Sequence, residues 1–259
     1  FLEAEMGIYI KLFFAKLSML KMYKKDFYLG LISCIIKALI SIFLIDFILD
    51  NFEIVGGMEG DKVAFLYFFI TFIQAVSSMV LPGIISFTGI YIRDAELDMV
   101  LLKPVNKLVY IVFENIDIKE FPNVMVNLGI FILSIIRLNL PISVAIMLFL
   151  ESFAGVLIVF SLCLLINILG FRYKETLMPI KFLFALVDMC KYPLSIYNPV
   201  IKILFMTVIP IGLVSYWGIV QMDNIAWIFM LSVVISAMLM LVCVYLFEKA
   251  FRLYESTGS

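Results

Sequence analysis

The sequence predicts an all-α integral membrane protein with six spans, on three observations. Hydrophobic residues make up 64% of its 259 residues, and the mean hydropathy is +1.15. Soluble domains are about 45–50% apolar, so an excess of this size needs a bilayer to cover it. Apolar runs close to the ~20 residues that cross hydrocarbon recur along the chain. Charged residues are only 15% of the total and collect between those runs. A net charge of −1 gives no basic footprint for nucleic acid. Histidine is absent, which removes Ser–His triads, His-based zinc sites and imidazole relays together. Cys34, Cys163, Cys190 and Cys243 all fall in apolar runs without CxxC spacing. They read as small buried hydrophobes.

Residues 1–25 alternate apolar clusters with Lys11, Lys16, Lys21, Lys24 and Lys25. This pattern predicts an interfacial amphipathic helix with snorkelling lysines, and no cleavable signal peptide is read in it. The first span is residues 26–50, followed by the acidic loop Asn51–Lys62. The second span, 63–81, ends at Pro82 and Gly83. Residues 84–119 form a charged connection whose centre, Gly89–Pro104, is helix-prone and cannot lie in hydrocarbon. The third span is 121–138 and the fourth 142–171, divided by the turn Arg137–Pro141. The fifth, 176–190, is short. Residues 191–222 carry Pro193, Pro199 and Pro210 and predict short re-entrant helices rather than a plain span. The sixth span is 224–247.

Charge sets the orientation. With the N-terminus inside, thirteen lysines and arginines are cytosolic against four outside, with Lys37 and Lys181 in neither group. The positive-inside rule then places both termini and Gly89–Pro104 in the cytosol.

No GxxxxGK[ST], HExxH or GxSxG motif occurs. The polar residues that draw attention are Lys37, Gln74 and Glu151, each predicted near the midplane of a span, where a charge costs roughly 2.5–3.5 kcal/mol. A Lys37–Glu151 pair is one reading; separate local partners, or Lys37 at a subunit interface, are the others. Asp46 and Asp188 are expected nearer the outer face, with Asp188 able to meet Lys191 at i+3.

Three stretches carry a resemblance: AELDMVLLKPVNKL (Ala95–Leu108), CKYPLSIYNPVIKILFMTVIPIGLVSYW (Cys190–Trp217) and YESTGS (Tyr254–Ser259). In this order they resemble permease subunits of ABC exporters of the type-2 class, in the daunorubicin/multidrug-type branch. Against that pattern, Ala95 stands at a Gly-like position and Val105 at a Leu-like one. The resemblance implies a bacterial multi-pass cell-membrane protein with a coupling helix between spans two and three. It implies a dimer of like or unlike permeases on separate ABC ATPase subunits, which hold the ATP and Mg, so that this chain is non-catalytic and carries no cofactor. By analogy, Tyr91, Arg93, Asp94, Glu96, Asp98 and Lys103 contact the ATPase, and Lys37, Gln74 and Glu151 line or brace the translocation interface. The alternative is a secondary carrier driven by an ion gradient, which needs titratable groups along a path.

Overall fold

The computed structural model describes residues 2–22, 24–51, 54–217 and 225–252. Helix α1, Leu2–Met22, leads into α2, Lys24–Asn51. A two-stranded antiparallel hairpin, Ile54–Val55 with Met58–Glu59, then starts α3, Gly60–Val80. Short pieces follow: α4, Pro82–Ile85; a π-helix, Thr88–Arg93; α5, Leu97–Leu101; α6, Lys107–Glu114; and a 3₁₀ turn, Ile118–Glu120. The long helices resume with α7, Phe121–Arg137, and α8, Ile142–Tyr173, before the shorter α9, Leu177–Met189. A 3₁₀ turn at Leu194–Ile196, α10 at Pro199–Thr207 and a π-helix at Leu213–Trp217 precede α11, Ile225–Arg252. The tail Tyr254–Ser259 and the end of the predicted re-entrant region lie outside the described residues.

Five helical segments among the described residues are long and apolar enough to cross a membrane: Phe27–Phe47, Gly60–Val80, Ile118–Arg137, Ile142–Tyr173 and Ala226–Arg252. The expected fifth span corresponds to α9, whose 13 residues rise about 20 Å against a hydrocarbon core of about 30 Å. Helix α10 and its two flanking turns are each too short to cross.

Helices α3 and α8 form the centre: 61% of each apolar window is buried, against 6% for α2. In hydrocarbon, apolar side chains gain nothing by leaving lipid, so the centre must be held by close packing and polar contacts. Close packing is visible where Gly155 of α8 meets α3; a Cβ there would stand 2.4 Å from Ile73 Cδ1. Around Phe131 of α7, the rings of Phe65, Phe69, Phe72 and Phe149 lie with centroids 5.3–6.5 Å away.

The bundle has two distinguishable ends. At one, Arg137 pairs with Asp61 at 2.7 Å and Asp46 at 3.4 Å, joining α7, α3 and α2. At the other, α3 gives way to the connection, and α1 packs on α6 and on Ile118–Glu120. Tyr9 of α1 meets Phe113 there with ring centroids 5.4 Å apart.

Candidate functional site

The first candidate is the connection at the end opposite Arg137. Its root is buried. Phe87 is fully enclosed and packs against Phe171 of α8 and Phe247 and Phe251 of α11, with centroids 5.0–6.0 Å away. One residue on, Thr88 enters a buried polar cluster with Asn167 of α8 and Thr176, which precedes α9. The Thr88 and Thr176 hydroxyls are 2.6 Å apart, and they lie 3.1 and 2.9 Å from Asn167 Oδ1. Asn167 Oδ1 accepts from either hydroxyl, and because two protons serve three contacts, one contact at a time is left without one. Asn167 Nδ2 donates to Ile84 O at 2.7 Å and Cys163 O at 3.0 Å. One amide side chain thus ties α4, the π-helix and α9 to the inner face of α8.

Tyr91, expected as an outward contact, is 2% exposed. Its hydroxyl donates to Glu114 at 3.1 Å and accepts from Asn115 Nδ2 at 2.6 Å. Tyr110 donates to the other Glu114 oxygen at 2.7 Å, and Lys103 donates to Tyr110. Burial pushes both phenols above their ordinary range, so both keep the protons these bonds require. Tyr91 and Lys103 therefore brace the connection from within. Gly83 is part of the same brace, because a Cβ there would lie 2.7 Å from both Ile111 O and Asn115 Cβ. A backbone oxygen cannot step aside as a side-chain tip can, so α4 and α6 approach this closely only with glycine.

The outer side of the connection is exposed. Arg93 and Asp94 pair with each other at 3.5 Å, and Glu96 also faces outward; exposed pairs of this kind hold little free energy. Asp98 is half-buried. Helix α5 is two-faced: Leu97 and Val100 are buried, while Met99 is 72% and Leu102, its C-cap, 86% exposed. Ala95, which precedes α5, has φ +59°. This left-handed conformation costs an L-residue about 1–2 kcal/mol and glycine little, which explains why a Gly-like residue suits the position. Ala95→Gly is expected to raise the unfolding temperature by about 2–4 °C, for about 1 kcal/mol, as read by thermal unfolding of the purified chain.

The second candidate is a groove of about 450 Å³ between α2, α3, α7 and α9. Each helix gives it a polar stripe at helical spacing: Cys34, Lys37 and Ser41 from α2; Tyr67, Thr71, Gln74 and Ser78 from α3. Glu120, Asn123 and Asn127 come from the start of α7. Asp188 of α9 and the nearby Lys191 complete it. Gln74 Nε2 donates to Asp188 at 3.0 Å, and Lys191 pairs with Asp188 at 2.5 Å. Asn127 donates to Asn123, Asn123 to Glu120 at 2.9 Å, and Ser78 to Glu120 at 3.3 Å.

Two expectations change here. Asp188 does not join Asp46 at the Arg137 end of the bundle: its partner Gln74 lies fourteen residues from that end of α3 and six from the other. Helix α9 is simply too short to carry Asp188 further. Lys37 and Glu151 do not pair. Lys37 lines the groove with Gln74, whereas Glu151 is fully buried one turn before Gly155, and its carboxyl oxygens meet no hydrogen-bond partner among the described residues. Glu151 is thus set apart from the groove that Lys37 and Gln74 line. A carboxyl enclosed without partners costs about 1–3 kcal/mol. Glu151→Met is expected to stabilise the purified protein by that amount, seen as a higher unfolding temperature in detergent.

The sequence reading missed Asn167, Thr88 and Thr176, and in the groove Glu120, Asn123 and Asn127. The available signal was polar residues at i, i+3 or i+4, and i+7 within apolar helices.

A bundle of membrane-crossing helices with a polar groove between them, and a braced connection at one end, has the form of a transport permease. Residues 35–258 match the family model described as ABC-2 family transporter protein, and the chain belongs to that family, as a multi-pass membrane subunit of an ABC transporter. No curated protein and no solved structure matches the chain.

Proposed function

We propose that this chain is the permease subunit of an ABC exporter in the bacterial cell membrane, with both termini and the connection in the cytosol, coupled there to separate ATPase subunits. Support for the daunorubicin/multidrug-type branch comes from the Ala95–Leu108 and Cys190–Trp217 motifs. A second permease, like or unlike, completes the translocation path beside the membrane lipid, and ATP and Mg belong to the partner.

The observation that carries this reading is the construction of Thr88–Leu102. Its root is packed into α8 and α11 and hydrogen-bonded to α8, while its tip holds Met99 and Leu102 out in the open. An exposed apolar tip on a braced stem is suited to receive a push and pass it to the spans. Arg93, Asp94, Glu96 and Asp98 surround the tip and form the charged rim of the contact. Tyr91 and Lys103 stiffen the stem. Lys37 and Gln74 face the substrate in the groove; Glu151 sits behind them, in the packing of α8.

The test is a charge reversal on the rim. Glu96→Lys and Asp98→Lys are expected to lower export and transport-linked ATP hydrolysis about tenfold, by slowing and weakening docking, with membrane insertion unchanged. Normal coupling in both variants contradicts the docking assignment.

A further inference from the structure

Half of the groove's charge is already paired. Asp188 takes Lys191 and Gln74, so that corner is neutral and hydrogen-bonded. Two charges remain. Among the described residues, Lys37 has no anion within ion-pair distance, and Glu120 has the neutral donors Asn123 and Ser78 but no cation. They stand on different helices, and both line the groove beside Cys34, close enough for each charge to act on it. An amine and a carboxylate in one groove that do not meet each other leave room for a guest between them. Between the polar stripes the groove also offers the apolar side chains of Phe68, Ala75, Ile130 and Phe184, and Lys37 is exposed along a helix of which little is buried.

The geometry points to a zwitterionic amphiphile as the groove's ligand: a molecule with an apolar chain whose headgroup bears both an anionic group, for Lys37, and a cationic group, for Glu120. A purely anionic or purely cationic amphiphile satisfies one charge and leaves the other facing it unpaired. This rests on the groove being the substrate-facing surface.

Cys34 supplies the assay. It is half-buried in the groove, while Cys163, Cys190 and Cys243 are buried elsewhere. The full chain, purified in a mild non-ionic detergent, is alkylated with N-ethylmaleimide in the presence of matched single-chain probes, and modification of Cys34 is followed by peptide mass spectrometry. The probes are myristoyl lysophosphatidylcholine (zwitterionic), myristoyl lysophosphatidylglycerol (anionic) and myristoylcholine (cationic). The zwitterion is expected to protect Cys34 at concentrations about tenfold lower than either of the others. Lys37→Gln should remove its advantage over the cationic probe, and Glu120→Gln its advantage over the anionic one. Equal protection by all three probes, or an advantage over the cationic probe that survives Lys37→Gln, overturns the ligand assignment. Absence of protection by any probe overturns the substrate-facing reading beneath it. Lys37 makes no ion pair among the described residues whose loss would unfold the chain, so Lys37→Gln remains informative even if Glu120→Gln is poorly folded.

Discussion

Leu102→Asp is expected to weaken binding of the ATPase subunit about 100-fold while leaving the permease folded. Leu102 is 86% exposed in the isolated chain, so the chain itself loses no packing when the side chain changes. Burying a leucine at an interface is worth about 1.5–3 kcal/mol, and a carboxylate in its place must be desolvated without a partner. Together these exceed the ~2.7 kcal/mol that a 100-fold change requires. Met99→Asp should act in the same direction, because Met99 stands on the same exposed side of α5. Affinity is measured by titrating the purified ATPase subunit onto permease in nanodiscs. Unchanged affinity in both variants removes the apolar tip from the contact.

Asn167→Ala is expected to destabilise the permease by about 3 kcal/mol, a fall in unfolding temperature of roughly 6–12 °C. The substitution leaves Ile84 O without a donor it now has and the Thr88 and Thr176 hydroxyls without their acceptor, in a site where Asn167 itself is fully buried. The effect should reach beyond stability, because these bonds fasten the root of the connection to α8. The variant should still bind ATPase through its exposed tip, yet hydrolysis should become less dependent on substrate. Thr88→Val removes one hydroxyl only and should cost about 1 kcal/mol. Thermal unfolding gives the first quantity and substrate-stimulated ATPase activity the second. A mild effect from Asn167→Ala, no larger than that of Thr88→Val, would mean that the cluster is not what holds the root.

The long helices were legible because apolar length is a one-dimensional signal. The runs around α2, α3, α7, α8 and α11 needed only counting. The connection was legible as well, since no charged segment of that kind can lie in hydrocarbon. Its inner construction was less so. Gly89–Pro104 reads only as helix-prone, whereas the backbone takes a π-helix, a left-handed residue at Ala95 and the five-residue α5. Tyr91 looks like a contact residue in sequence, and only its partners Glu114 and Asn115, more than twenty residues away, show that it is spent inside.

Polar residues within spans proved the hardest to place. Lys37 and Gln74 were picked out by depth, and they line one groove. Glu151 has similar depth but a different azimuth, and on a helix as uniformly apolar as α8 nothing in the pattern tells one azimuth from another. The groove's other polar residues escaped notice because each helix contributes only one to four, and they meet only once the helices are packed. Asp188 was misplaced because α9 was taken to reach the outer face, a distance its 13 residues do not cover.

The central claim is that the Thr88–Leu102 connection is where the ATPase acts on the membrane bundle. The most direct measurement is photo-crosslinking in native membranes, with a photoreactive amino acid at position 102 and, as the opposite-end control, at the exposed position 139. The account predicts an adduct between position 102 and a Walker-motif ATPase subunit, identified by mass spectrometry, and no such adduct from position 139. An ATPase adduct from position 139, or none from position 102 in a membrane that is active in export, would contradict it.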